Sequence, residues 1–500
     1  MFKYKGGIKL NEVQLYTWIG FVIFIALMVY LSYLGYKKTN TVEDFSIAGE
    51  GLGPIVLGLA YAATFFSATT FIGYPGWAYS SGLSTLWISL TLIIASPLGL
   101  IAVAKRAREI NIKQKSLSLP DWLGDRFNSD VIRVGAAIIC LFNIFAIASQ
   151  FSAGAWIFET LLDVPYTVGL TVTMLFVIVY VFAGGTFADI YTDAVQAILM
   201  AVMGIVVFVS VFWVFDGGLT ESFENISNQL AERDPNLIAI INPDSLVFYS
   251  IPAVFGAFII QFAFSSQPQL FNKVLSLKNP KDMRKMIITY VIAAVSFLFV
   301  IFGGIYASVT VVVDHPDQAL LQYVLDFFPP VVAAFLGVTV IAAAISTTDG
   351  LFVVMSTVIA NDIFRKFLVK RNIIKIGPEE TEKYSLLISR LSVVVVGIIA
   401  FIIVLNPPES LGMLLWLGIS GVASGTMGPL LATIFLPKLA TRPAAIASLL
   451  VGVGSYIVIL MIDLGPSNLA SGGYAVIIGL LTMIIVGFFT KERGQINHVG

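Results

Sequence analysis

Polar residues collect in short stretches along this chain, and between them lie windows of nearly uninterrupted apolar residues. Windows long enough to cross a bilayer as helices, at about 1.5 Å of rise per residue, recur about thirteen times. They predict helices near 14–35, 54–80, 83–104, 132–157, 165–183, 191–215, 246–266, 286–312, 331–361, 384–404, 410–436, 442–463 and 471–490. Only 216–245 and 361–384 leave sizeable gaps, so the pattern predicts one all-α integral membrane unit without a soluble module. No short apolar region with a small-residue cleavage site opens the chain, and the first window is expected to remain as a membrane helix.

Composition supports the same reading. The 500 residues are 58% hydrophobic and 12% charged, against about 25% charged in soluble domains. A net charge of -1 gives no footprint for nucleic acid. The single cysteine, Cys140, excludes an intrachain disulfide and reads as packing. His315 and His498 fall in a loop and in the tail, which argues against a histidine relay or metal site within the membrane.

Basic residues give the expected orientation. Lys105, Arg106, Lys113, Lys273, Lys278, Lys281, Lys285, Arg365, Lys366 and Arg371 fall on one side, opposite the acidic 216–245 loop. Positive-inside then puts the N-terminus outside and the C-terminus inside a plasma membrane, with Lys3, Lys5 and Lys9 in the minority. No Lys or Arg is expected in the middle of a span. Arg133 and Arg390 fall at the edges.

Two spans carry helix-breaking residues beside polar ones. Gly73, Pro75 and Gly76 follow Ser67, Thr69 and Thr70. Pro252 and Gly256 precede Gln261, Ser265, Ser266, Gln267 and Pro268. Backbone interrupted at membrane depth is tolerated where it lines a cavity, and a pair of such helices points to a transport site. The ninth window adds an isolated acid, Asp349, directly after Ser346, Thr347 and Thr348. Burying a carboxylate there costs roughly 2.5–3.5 kcal/mol, and neighbouring hydroxyls suggest a cation as its partner.

These residues resemble the sodium/solute symporter family over nearly the whole chain. The resemblance rests on Phe71-Ile-Gly-Tyr-Pro-Gly76, Ser118-Leu-Pro-Asp-Trp-Leu-Gly-Asp-Arg-Phe127, Gly184-Gly-Thr-Phe-Ala188 with Thr192-Asp-Ala-Val-Gln196, and Ala343-Ala-Ile-Ser-Thr347, in that order. Gly154–Thr160, Val164–Gly169 and Asn406–Glu409 are similar to the pantothenate and monocarboxylate branch. The resemblance implies a LeuT-like fold of two inverted five-helix repeats, with one helix before and two after. The corresponding boundaries are 1–53 for the first helix and loop, 54–215 and 246–436 for the repeats, 216–245 for the outer loop, and 437–500 for the last helices and tail.

The resemblance also implies a sodium ion held by the backbone carbonyls of Ala63, Phe66 and Ala343 and the hydroxyls of Ser346 and Thr347. Asp193 matches a family acid linked to a further sodium site or the ion's exit path. Asp349 departs from the family pattern. Together with Ser346 and Thr348, the two acids are expected to form a second cation or protonatable site. A helix-start acid at Asp193, or an acid bonded to a neighbouring helix at Asp349, is the competing reading. Ser67, Thr69, Thr70, Trp77, Gln261, Gln267 and Trp416 are expected to face the solute.

The expected function is sodium-coupled import of a small organic acid by alternating access. The alternative is a sodium- or proton-coupled carrier of a proline-like amino acid or a sugar on the same scaffold. Sodium would be the transported coupling ion, with no organic cofactor and no obligate protein partner. The expected partners are a small-molecule solute and membrane lipid. No clustered catalytic groups suggest an enzyme.

Overall fold

The computed structural model describes residues 6–37, 46–48, 51–215, 217–465 and 467–491. Lys3, Lys5, Lys38, most of 42–49 and the tail with His498 lie outside the described residues. Among the described residues regular structure is helical, apart from one isolated bridge between Leu52 and Leu277. Eleven described segments are long and apolar enough to cross a membrane, and Pro54–Phe65 and Tyr166–Val179 are shorter apolar helices.

In chain order, α1 (Gly6–Tyr36) precedes a split pair, α2 (Pro54–Phe65) and α3 (Gly73–Ser81), and then α4 (Leu86–Gln114). A short α5 (Leu119–Arg126) leads to α6 (Asp130–Ile139) and α7 (Asn143–Leu162), which form one crossing. The next helix, α8, runs from Tyr166 to Val209, and α9 (Leu219–Arg233) occupies the long loop that the sequence left without structure. A second split pair follows, α10 (Ile251–Phe264) and α11 (Pro268–Leu275). Beyond it come α12 (Met283–Leu298), α13 (Ile301–Thr310), α14 (Ala319–Phe327) and α15 (Pro330–Thr357). A π-helix, Val358–Val369, extends α15; α16 (Pro378–Ile403), α17 (Leu411–Phe435), α18 (Arg442–Met461) and α19 (Asn468–Thr490) complete the bundle.

The fifth and sixth expected spans share continuous helical backbone in α8, 44 residues long. A straight helix of that length would measure about 66 Å, roughly twice the hydrocarbon thickness. Its two ends instead reach one stretch of chain, from the His315 loop into α14. The Tyr166 ring lies 5.6 Å from Trp156, whose ring is 5.0 Å from His315, and Ser210 just past the other end is 2.7 Å from the Tyr323 hydroxyl. The run therefore doubles back and makes two crossings through helical geometry, where the sequence suggested a loop.

Burial locates the centre of the bundle. The most apolar windows of the α15 and α17 spans are 83% buried, against 28% for α1 and 33% for α16. Val22, Ile23 and Val29 on α1, with Val395 and Ile402 on α16, are more than half exposed, forming apolar surface for lipid to cover. An acid on α15 is therefore enclosed by protein.

The first break lies earlier than Gly73–Gly76. Phe66 (φ -98°, ψ 107°) and Ser67 (φ -94°, ψ -178°) are extended and end α2. Pro75 sits in the first turn of α3, where its missing N–H forfeits no helical bond. Gly76 instead permits close approach: a Cβ there would stand 2.7 Å from Asp317 Oδ1 and 3.0 Å from the Pro316 backbone. The second break lies at Ser265–Gln267, between α10 and α11. Pro252 opens α10 and does not interrupt it. Tyr61 ties the two breaks, donating its hydroxyl to the Ser265 carbonyl at 2.6 Å.

The end rich in Lys and Arg is clamped by charge. Arg133, only 4% exposed, meets Asp121, Asp125 and Asp130, and Lys366 of the π-helix reaches Asp121 at 2.6 Å. Ser118, at the start of α5, donates to the buried Asp362 carboxylate. These bonds join α5, α6 and the extension of α15.

Candidate ion and solute sites

Where α2 unwinds, its last carbonyls lose their intrahelical partners. The backbone N–H of Phe66 goes back to Ala62, and that of Thr70 goes to Ser67. Hydroxyls of α15 meet the freed oxygens. Ser346 Oγ lies 3.0 Å from both the Ala63 and the Ala343 carbonyl, and Thr347 Oγ1 donates to the Thr64 carbonyl at 3.2 Å. A serine carries one proton, so it can serve only one of the two carbonyls at a time. Oxygens outnumber protons here, as a hard cation requires. Four of the five residues expected to hold sodium are thus brought to the α2–α15 crossing. Phe66 stands at the unwound turn, with its carbonyl released from the i+4 N–H of Thr70.

Thr64, absent from the sequence-derived set, links this place to a second one. Its hydroxyl lies 2.6 Å from Asp193 Oδ2 and 3.3 Å from the Ser346 carbonyl. Asp189, Asp193 and Asp349 each offer a carboxylate oxygen within 4.8 Å of the others, and all three are buried. Lys273 Nζ stands among them, 2.6 Å from Asp189 Oδ2 and 2.7 Å from Asp193 Oδ2. Its side chain is 2% exposed. Asp349 Oδ1 accepts the N–H of Gly350 at 2.8 Å, while no N–H or hydroxyl donor among the described residues reaches Asp349 Oδ2, Asp189 Oδ1 or Asp193 Oδ1.

Two expectations change here. Lys273 was assigned to a loop, whereas α11 carries it back into the bundle as a buried counter-charge. Thr348 does not join the acids: its hydroxyl turns to the Ala344 carbonyl of its own helix at 2.5 Å. Asp189 and Asp193 are one helical turn apart, so the i, i+4 spacing was a usable signal for the pair. Nothing comparably local marked Lys273.

The expected solute-facing residues divide. Ser67 caps the turn that follows the break by accepting from Thr69 N at 3.2 Å, and Thr70 is buried beside it. Thr69 Oγ1 and both amide atoms of Gln261 are buried and make no hydrogen bond among the described residues, and the buried Trp416 indole stands beside the Tyr74 hydroxyl. Gln267 donates to the Ile419 carbonyl at 2.7 Å, leaving its amide oxygen unpaired. Trp416 packs its ring 5.4 Å from Phe264 at the end of α10. Trp77 is committed elsewhere: its indole donates to Ser410 at 3.1 Å and its ring covers Gly412. Gln150, which sequence reasoning missed, accepts the Ala68 N–H at 3.1 Å and braces the break.

The chain as a whole has counterparts among known proteins. Residues 45–452 match the model of the sodium:solute symporter family. The osmoregulated proline transporter OpuE of Bacillus subtilis (strain 168) is 27% identical over 492 residues, 95% of each chain. Sodium/proline symporter 2 of Staphylococcus saprophyticus is 27% identical over 505 residues, covering 96% of this chain and 94% of that one. These relatives are proline transporters, not the pantothenate and monocarboxylate carriers that the local motifs suggested. A substrate-bound, outward-open sodium-coupled sialic acid symporter shares the fold, with a TM-score of 0.75 at 19% identity over 96% of this chain and 98% of that one. The transporter Mhp1 in a closed conformation matches with a TM-score of 0.55 at 13% identity, covering 90% and 94%. The chain belongs to the sodium:solute symporter family.

Proposed function

We propose that the protein imports a small zwitterionic amino acid, proline or a close analogue, driven by sodium. The observation that carries this reading is Ser346 Oγ poised between the Ala63 and Ala343 carbonyls where α2 unwinds. Sodium binding there would draw α2 and α15 together and set the break for solute. The names of the relatives favour proline over an organic acid. The unpaired Thr69 hydroxyl and Gln261 amide supply donors and acceptors for a carboxylate and an amine between the two breaks, with the Trp416 indole as a further donor. Residues 54–215 and 246–436 act as the two repeats that rock against each other, with the Lys/Arg-rich end facing the cytoplasm. A second monovalent cation, sodium or a proton, is taken by the unpaired oxygens of Asp189, Asp193 and Asp349.

Radiolabelled proline uptake into proteoliposomes tests the reading. Uptake should be concentrative under an inward sodium gradient and collapse when potassium replaces sodium at equal ionic strength. Uptake that persists in potassium removes sodium coupling. A panel in which pantothenate or lactate, and not proline, competes would return the solute to the organic acids.

A further inference from the structure

At the basic end a groove of about 520 Å³ opens between the start of α6, the far end of the π-helix and the start of α18. Asn128, Asp130, Val131, Lys370, Arg371 and Arg442 line it. Asp130 is already committed, accepting from Arg133 at 2.5 Å and from Arg371 at 2.7 Å. Among the described residues, Lys370 and Arg442 are left without a carboxylate. The Arg442 Nε donates to the Phe127 carbonyl at 2.7 Å, which holds the guanidinium in place, and its terminal nitrogens have no partner among the described residues. The Lys370 ammonium makes no hydrogen bond or ion pair among the described residues.

The depth of the groove narrows what it can hold. The apolar spans of α6 and α18 begin at Asp130 and Arg442, so Arg442 stands at the polar end of an apolar span. Val131 is 64% exposed within the groove, and Ile138, two turns on along the same face of α6, is 56% exposed. An apolar wall thus leads from the fixed cations into the bilayer. A soluble anion would use the cations alone; a lipid would use both.

We propose that this groove binds an anionic glycerophospholipid, its headgroup phosphate between Lys370 and Arg442 and an acyl chain along Val131 and Ile138. Basic pockets between membrane helices suit phosphate headgroups through paired charge and hydrogen bonding. The lipid would brace the π-helix, which continues the helix bearing Ser346 and Thr347.

Native mass spectrometry of the full chain in mixed micelles, with phosphatidylglycerol or phosphatidylcholine as probe, tests this. Phosphatidylglycerol should be retained in preference. Each basic side chain near an anionic surface is worth about a factor of five, so Lys370→Gln should weaken retention about fivefold and Lys370→Gln with Arg442→Gln about thirtyfold. Equal retention of the two lipids by the unaltered chain overturns the proposal, as does a well-folded double variant that keeps its preference. Displacement of phosphatidylglycerol by millimolar inorganic phosphate would also overturn it, reassigning the groove to a soluble anion. If the double variant does not fold, the single Lys370→Gln decides, because that exposed side chain supports no contact.

Discussion

Ser346 and Asp349 lie three residues apart on α15, yet the places they serve handle charge in opposite ways. Around Ser346 every partner is a neutral oxygen, either a carbonyl freed by the break or a hydroxyl. Beside Asp349 lie the charged Asp189 and Asp193, and the protein supplies their ammonium, Lys273. A neutral cage leaves only partly satisfied dipoles when a cation departs, so binding and release can alternate at modest cost. A cluster of buried carboxylates left without counter-charge costs several kcal/mol per ion. A permanent lysine keeps that cost from recurring in each cycle. Thr64 touches both places, which makes it the natural route for coupling between them.

The largest effect should follow from removing the permanent charge. Lys273→Met strands Asp189 and Asp193, and breaking a buried pair this way costs roughly 3–5 kcal/mol. Thermal unfolding in detergent should show a clear loss, largely restored when Asp189→Asn and Asp193→Asn are added. An unchanged unfolding temperature for Lys273→Met alone would mean that the cluster is not held by its lysine.

Ser346→Ala should come next, and should act on function more than on stability. Losing one oxygen bonded to a charged ligand costs roughly 1.5–3 kcal/mol, so half-maximal uptake should need on the order of 10–100 times more sodium. Sodium dependence like that of the unaltered protein would move the ion away from the α2–α15 crossing. Asp349→Asn should be milder, shifting the sodium requirement less than about tenfold and flattening its cooperativity. If sodium dependence and pH dependence of uptake both stay as they were, the cluster takes no second cation.

What the sequence revealed follows from the range of each interaction. The spans were legible because hydropathy is a local property, and the resemblance grouped Ser346, Thr347, Ala63 and Ala343, which the fold brings to one helix crossing. The first break was misplaced because Gly73, Pro75 and Gly76 look like breakers. Pro75 opens a helix and Gly76 makes room for Asp317. The unwinding at Phe66–Ser67 is instead held by partners distant in sequence, Ser346 and Gln150. Lys273 was hidden for a similar reason. It sits among other basic residues in sequence, and only the second break at Ser265–Gln267 directs α11 inward toward acids 80 and 84 positions away. The motifs that suggested an organic acid lie in the second half of α7, around the start of α8 and in the loop before α17.

A third treatment of a buried acid appears at the opposite end of the bundle. Asp317, in the loop before α14, has neither a lysine nor a cage of exchangeable ligands. Its carboxylate accepts the Leu411 N–H at 3.2 Å and faces Gly76. His315 stands 3.9 Å away, but burial lowers the imidazole's pKa, so near neutral pH it offers no positive charge. Burial pushes the Asp317 carboxyl up to about 7, only partly opposed by the Leu411 hydrogen bond. An acid whose folded pKa exceeds its unfolded value favours the fold fully below the unfolded value, and that contribution is lost as pH rises through the folded value. Stability should therefore decline between about pH 4 and pH 7 on account of this group. Asp317→Asn keeps an oxygen for Leu411 and removes the titration. Its unfolding temperature should exceed that of the unaltered protein at pH 8 and match it near pH 4, a difference of about 1–3 °C in a chain of this size. Parallel curves for the two proteins across that range would show that Asp317 stays ionised, and that a buried acid here is stabilised by something other than its proton.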